Sequence, residues 1–146
     1  MDAGPADPTA RCAGCTAVAD ELAVRTLLAA LSRTADGDDV DAYVELFAPD
    51  AVWELPGSVR RGRDDIRAGS LERRAAGEVG AGSATRHVTT TSVVRVDGDR
   101  ATASSTWLFL ADPMPGPRLA GGGPQAQGFA RAAGRWLPPR RSIAFG

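Results

Sequence analysis

The chain has 146 residues, 43% of them hydrophobic, which is the size and apolar content of one packed domain and excludes wholesale disorder. Its net charge of −1 and sequence pI near 5.8 remove any electrostatic case for a nucleic-acid or anionic-membrane partner. No apolar run approaches the roughly 20 residues that a membrane-spanning helix needs.

All 17 basic residues are arginine, and lysine and asparagine are absent. This pattern reads as GC-rich coding, with an actinobacterial source expected. Residues 1–15 read as a loose Gly/Pro/Ala tail before the domain proper, expected over 16–146. The tail has no basic segment followed by an apolar one, so it is not read as a signal peptide and a cytoplasmic location is expected. Cys12 and Cys15 form a CxxC inside this tail. A redox CxxC should open a helix after a strand, and a zinc site needs about four ligands, whereas His87 is the only histidine. Two tail thiols are the simpler reading, and no metal is expected.

From Thr16 the pattern turns helical, with Val24, Leu27, Leu28 and Leu31 at helical spacing. Asp36-Gly37-Asp38 breaks this helix. A second, short helix carries Val40, Tyr43, Val44 and Phe47, with Asp38 or Asp39 as its N-cap and Pro49-Asp50 ending it. Ala51 to Leu55 reads as a strand and Pro56-Gly57 as a turn. A third helix is predicted over Asp64 to Ala75, anchored by Ile66 and Leu71. Gly77 to Ser83 reads as a flexible link.

The rest of the chain reads as strands. His87 to Val96 is rich in β-branched residues. Asp97-Gly98-Asp99 is a hairpin turn. Ala101 to Ala111 alternates, with Ala103, Ser105, Trp107 and Phe109 on one face. Asp112 to Pro124 reads as a Pro/Gly-rich rim loop, residues 125–132 as a weak strand and Ala133-Gly134 as a turn. In the last strand, Pro138-Pro139 cannot donate to a ladder, so that part must be an edge or a break. Helices first and an antiparallel meander afterwards make an α+β arrangement.

Four strings in this order carry a resemblance to a known family: ADGDDVDAYVELFAPDAVWELPG, RRGRDDIR, TRHVTTTSVVRVDGDRATASSTW and RAAGRW. Together they resemble the SnoaL-like domains of the nuclear-transport-factor-2-like (NTF2-like) superfamily, over roughly residues 17–143. The resemblance implies a cone: three N-terminal helices packed on a curved, mostly antiparallel sheet that encloses a pocket. The family holds polyketide cyclases, dehydratases and isomerases together with non-catalytic relatives, so the fold alone does not fix function. In its dehydratase-like branch the pocket carries an Asp in the turn after the first helix and the His of an R-H motif. Those positions fall on Asp36 and His87. A pocket Tyr of the family falls on Leu31. A G-x-Y-x-D strand motif falls on Gly123, Gln125 and Gln127, so both functional positions are glutamines. The double proline also departs from the pattern. Pairing through the open sheet face makes a homodimer the expectation by resemblance.

His87 is the one side chain whose ordinary titration lies near neutral pH. A carboxylate beside it would fix its tautomer and strengthen it as a base, and Asp36 is the candidate. Such a dyad removes a proton next to a carbonyl, then protonates a leaving hydroxyl, another carbon or an aldol product, without a cofactor. The alternative readings are a strand histidine bonded to backbone and a turn-forming aspartate beside Gly37. Trp53, Trp107 and Tyr43 are candidate walls for a hydrophobic, carbonyl-bearing ligand, polyketide- or steroid-like, or else core residues. Arg141 is a candidate holder of a carboxylate or enolate, or else a surface charge. The leading expectation is a cofactor-independent lyase, isomerase or cyclase. A non-catalytic binding or dimerisation module is its alternative, and thiol redox chemistry at Cys12 and Cys15 a third reading.

Overall fold

The computed structural model describes residues 13–111 and 116–144. Helix α1 spans Ala13–Ala35, starting three residues ahead of the expected Thr16, so Cys15 lies exposed in its first turn while Cys12 falls outside the described residues. Helix α2 follows at Val40–Glu45, then strands β1 (Val52–Leu55) and β2 (Ser58–Arg61), helix α3 (Gly62–Ala75), and strands β3 (Thr85–Asp97), β4 (Arg100–Ala111), β5 (Arg118–Ala132) and β6 (Arg135–Ile143). The six strands form one sheet in the order β2-β1-β6-β5-β4-β3, antiparallel throughout except for the parallel pair β1–β6.

The helices form where the sequence pattern places them. Asp39 caps α2 by accepting from the backbone N–H of Ala42 at 2.9 Å. Val24, Leu28 and Leu31 form the buried stripe of α1. Leu31 packs with Tyr43, Val44, Phe47, Trp53 and Ile66 in one core. Val24 and Leu28 pack with Ala101, Ala103, Phe129 and Trp136 in a second. Each fully buried large apolar side chain here contributes about 1.5–3 kcal/mol.

Three expectations change. Leu71 is 49% exposed; small Gly69 and Ser70 are buried in its stead, because the Arg60 side chain lies over Gly69 and leaves no room for a larger residue there. Strand β2, which lacks an apolar alternation, joins β1 through the Pro56-Gly57 turn. The expected rim loop does not run to Pro124: β5 already begins at Arg118 and pairs with β4 as far as Ala130. Of the two readings of Pro138-Pro139, an edge or a break, the structure has the break, since β6 is an inner strand. The ladder with β5 shifts between Gly128 and Ala130, opposite these prolines.

Two such breaks decide which residues face inward. In β3 the register shifts between Thr90 and Val93, with Thr91 at φ 43°. Thr85, His87 and Thr89 face inward before it, and Ser92, Val94 and Val96 after it. In β6, Trp136 and Pro138 face inward before the break and Arg141 after it, while Arg140 turns out to meet Glu54 at 2.6 Å.

Away from these breaks, α1 is clipped to the sheet by Asp20, which receives Arg131 at 2.6 Å and the Trp136 indole N–H at 3.3 Å. The Arg131 hydrogen bond holds the Asp20 carboxyl below the usual carboxylate range. A lowered folded pKa gives stability that is present above the unfolded value and lost as pH falls through the folded one. Asp20→Asn is therefore expected to lower the melting temperature at neutral pH, with the gap to wild type closing towards about pH 3, below the unfolded carboxylate range. A gap that stays constant in thermal melts across that range would refute the assignment.

Candidate functional site

The turn that follows α1 carries the first candidate side chain. A helix end leaves carbonyls without intrahelical partners. Arg74 of α3 binds two of them and one beyond: its guanidinium donates to the carbonyls of Thr34 at 3.0 Å and Ala35 at 3.3 Å, and to that of Gly37 in the following turn at 2.9 Å. The same side chain bonds Ser70 Oγ at 2.7 Å. Asp36, inside this clasped turn, reaches the start of β3. It accepts from the backbone N–H of His87 at 3.0 Å and meets His87 Nδ1 at 2.6 Å. The His87 and Asp36 side chains are 13% and 12% exposed.

A carboxylate only accepts, so Nδ1 carries a proton, and it is Nε2 that holds the lone pair whenever the ring is neutral. No described residue bonds Nε2. The ring rests against Phe109, with centroids 4.8 Å apart, and lies 6.5 Å from Trp107.

His87 lines a cavity of about 430 Å³ between the helices and the sheet. Trp53, Tyr43, Trp107, Phe109 and Arg141 line it too, together with Arg73, Arg74, Glu78 and Arg118. Of the sequence candidates, Asp36 stands behind His87 and does not line the cavity. Leu31 is fully buried in the core and does not reach it either. Trp136 lies under α1, with the Arg131 guanidinium 4.4 Å from its ring centre.

Arg141 is no surface charge. It is 5% exposed, and its Nε and Nη1 have no hydrogen-bond partner among the described residues. Burial pulls its pKa below the usual guanidinium range and pushes the Tyr43 hydroxyl up. Two further buried atoms lack partners: Trp53 Nε1 and Gln127 Oε1. Phe109, Arg73, Arg74 and Arg118 were not among the sequence candidates; the alternation of β4 placed Phe109 inward, but nothing local marked the three arginines. Thr89, Gln125 and Ser32 form a polar chain beside the cavity, with Thr89 Oγ1 at 3.0 Å from Ser32 Oγ and 3.3 Å from Gln125 Nε2. Among the described residues no three His, Cys, Asp or Glu side chains gather as metal ligands would, and no helix is long and apolar enough to cross a membrane.

A helix-backed curved sheet around one aromatic-walled cavity is the NTF2-like architecture, and the chain belongs to the SnoaL-like domain family, which matches residues 16–141. Solved structures agree on the fold. Rv3472 of Mycobacterium tuberculosis, described as of unknown function, superposes with a TM-score of 0.80 at 24% identity, covering 92% of this chain and 76% of that one. An NTF2-like protein with a cystatin-like fold from Novosphingobium aromaticivorans gives 0.80 at 24% identity, covering 91% and 86%. ActVI-ORFA of Streptomyces coelicolor gives 0.73 at 19% identity, covering 85% and 95%. No curated protein matches the chain in sequence.

Because Arg74 clasps the turn that carries Asp36, Arg74→Met is expected to cost about 2–4 kcal/mol, from several charge-assisted hydrogen bonds lost at once. Urea unfolding measures the loss, and the His87 ring signals in NMR should shift with it. A stability within about 0.5 kcal/mol of wild type, the usual range for surface substitutions, would contradict the clasp.

Proposed function

We propose that the protein is a cofactor-independent lyase, isomerase or cyclase acting on a hydrophobic, carbonyl-bearing small molecule, polyketide- or steroid-like. The observation that carries this reading is the 2.6 Å His87–Asp36 contact beside an aromatic-walled cavity. His87 Nε2 takes a proton from the carbon next to the substrate carbonyl, leaving an enolate and an imidazolium. Asp36 holds the ring in the required tautomer and stabilises that imidazolium. The imidazolium then returns the proton. Delivered to a β-hydroxyl it releases water, and delivered to another carbon it shifts a double bond. When the enolate attacks a second carbonyl of the same molecule, the proton goes to the new alkoxide and a ring closes. Trp53, Trp107 and Tyr43 provide walls for a flat substrate.

The proposal extends to a cytoplasmic homodimer paired through the outer sheet face, where Thr102, Ser104 and Thr106 are exposed. A binding-only cavity is the second reading. It is favoured by glutamine at 125 and 127 and by the capture of Asp36 through the backbone of His87 as well as its ring.

Turnover separates the two. Aromatic β-hydroxyketones and 1,3-diketones are incubated in deuterium oxide and followed by NMR for exchange next to the carbonyl and for loss of water. The acid–base reading expects His87→Ala and Asp36→Asn to slow exchange by about 10²–10⁴-fold, the usual share of a positioned acid–base group. Exchange equal in wild type and His87→Ala would leave the binding-only reading.

A further inference from the structure

The cavity holds more cation than the acid–base reading uses. Of its basic residues, Arg74 is occupied by the carbonyls that end α1 and Arg73 faces Glu78 at 3.2 Å. Arg141 has no carboxylate beside it. Its neighbours across the sheet are Trp53 on β1 and Gln127 on β5, both uncharged. Every buried side-chain polar atom without a partner among the described residues falls in this one row: Trp53 Nε1, Arg141 Nε and Nη1, and Gln127 Oε1. A guanidinium cannot shed its proton to escape burial. A buried charge without a counterion is unfavourable, and a methionine of similar volume would serve packing better. Buried orphan donors of this kind mark a place where a ligand completes the bonding.

The backbone is shaped for it. The Pro138-Pro139 break reverses the phase of β6, and only that reversal brings Arg141 inside and sends Arg140 out to Glu54. The guanidinium lines the cavity and offers the fork that fits a carboxylate with two parallel bonds. The indole N–H of Trp53, its cross-strand neighbour, is a third donor.

We infer that the substrate is an acid: its carboxylate is bound by Arg141 and by Trp53 Nε1 while its aromatic or alicyclic body lies against Trp107 and Phe109. This rests on the reading of the cavity as the substrate site, and does not require that His87 perform chemistry there.

The test is calorimetric titration with 2-naphthoate and, separately, with its methyl ester, at neutral pH. Wild type is expected to bind the acid about tenfold or more tightly than the ester, the difference one charge-assisted pair makes. Two variants remove the preference by different routes. Arg141→Met deletes the cation. Gln127→Glu supplies an internal carboxylate that occupies it without altering the cavity wall. Both are expected to raise the melting temperature of the unliganded protein, because each ends the isolation of a buried charge. His87→Ala is expected to keep the preference, so turnover undiminished in that variant, with selectivity retained, would fault only the acid–base reading. Equal binding of acid and ester by wild type, a preference that survives Gln127→Glu, or a fall in melting temperature in both variants overturns the proposal.

Discussion

The rest of the site depends on how the first helix ends. A single guanidinium from α3 binds two of its last carbonyls, those of Thr34 and Ala35, and that of Gly37 just beyond its end. A cation at the negative end of a helix dipole is favourable in itself. What matters more is the geometry it imposes. Arg74 joins α3 to α1, and Asp36, held in the same turn, joins α1 to β3 through both the backbone and the ring of His87. The imidazole is thus positioned by a chain of charge-assisted bonds running through three elements. A dyad built this way keeps its orientation without loops from the cavity rim, and orientation at the level of an ångström governs acid–base rates.

A curved sheet with perfect alternation would present one fixed set of residues to the helices. Here two breaks alter the set midway along a strand. The break around Thr91 lets β3 turn His87 inward near the cavity and Val94 and Val96 inward under α1. The break at Pro138-Pro139 lets β6 bury Trp136 at one end and Arg141 at the other. Both ends of each strand therefore serve the interior, one for packing and one for the cavity. Proline suits such a position because a bulge already leaves a residue outside the ladder.

How much of this could be read from the sequence depends on whether the cause was local. Helix periodicity is local, so Val24, Leu28 and Leu31 and the face of α2 were legible, as were the turns at Gly98 and Gly134. The start of β5 was not. Its glycines look like a loop, but Gly122 is paired in the β4–β5 ladder, and glycine is needed there because a Cβ would come within 2.9 Å of the Trp107 carbonyl. That demand is made by β4, and nothing next to Gly122 announces it. Leu71 was misplaced for a related reason: Arg60, from the preceding strand, takes the space over the small residues of α3. The meeting of Asp36 and His87 spans 51 positions and was reachable only through family resemblance. The inward turn of Arg141 was not reachable at all from strand parity, because one extra residue at the prolines inverts it.

Two of the departures from the family pattern act in the same direction. A leucine where the resemblance places a pocket tyrosine removes a phenol donor, and Leu31 spends its bulk on the core. A glutamine where it places an aspartate removes the carboxylate that would have faced Arg141 across the strands. The first change takes away an electrophilic hydrogen bond, and the second leaves a cation free of any internal acid. On the proposed acid–base reading, the site would keep its base, held by Asp36, and take its electrostatic stabilisation from the guanidinium on β6. Selectivity follows from the cost of failure. A wholly apolar ligand would fill the aromatic walls yet seal Arg141 away from water without a counterion, and a ligand carrying an anion avoids that cost. The same buried charge that weakens the empty fold is thus what would make the occupied one discriminate.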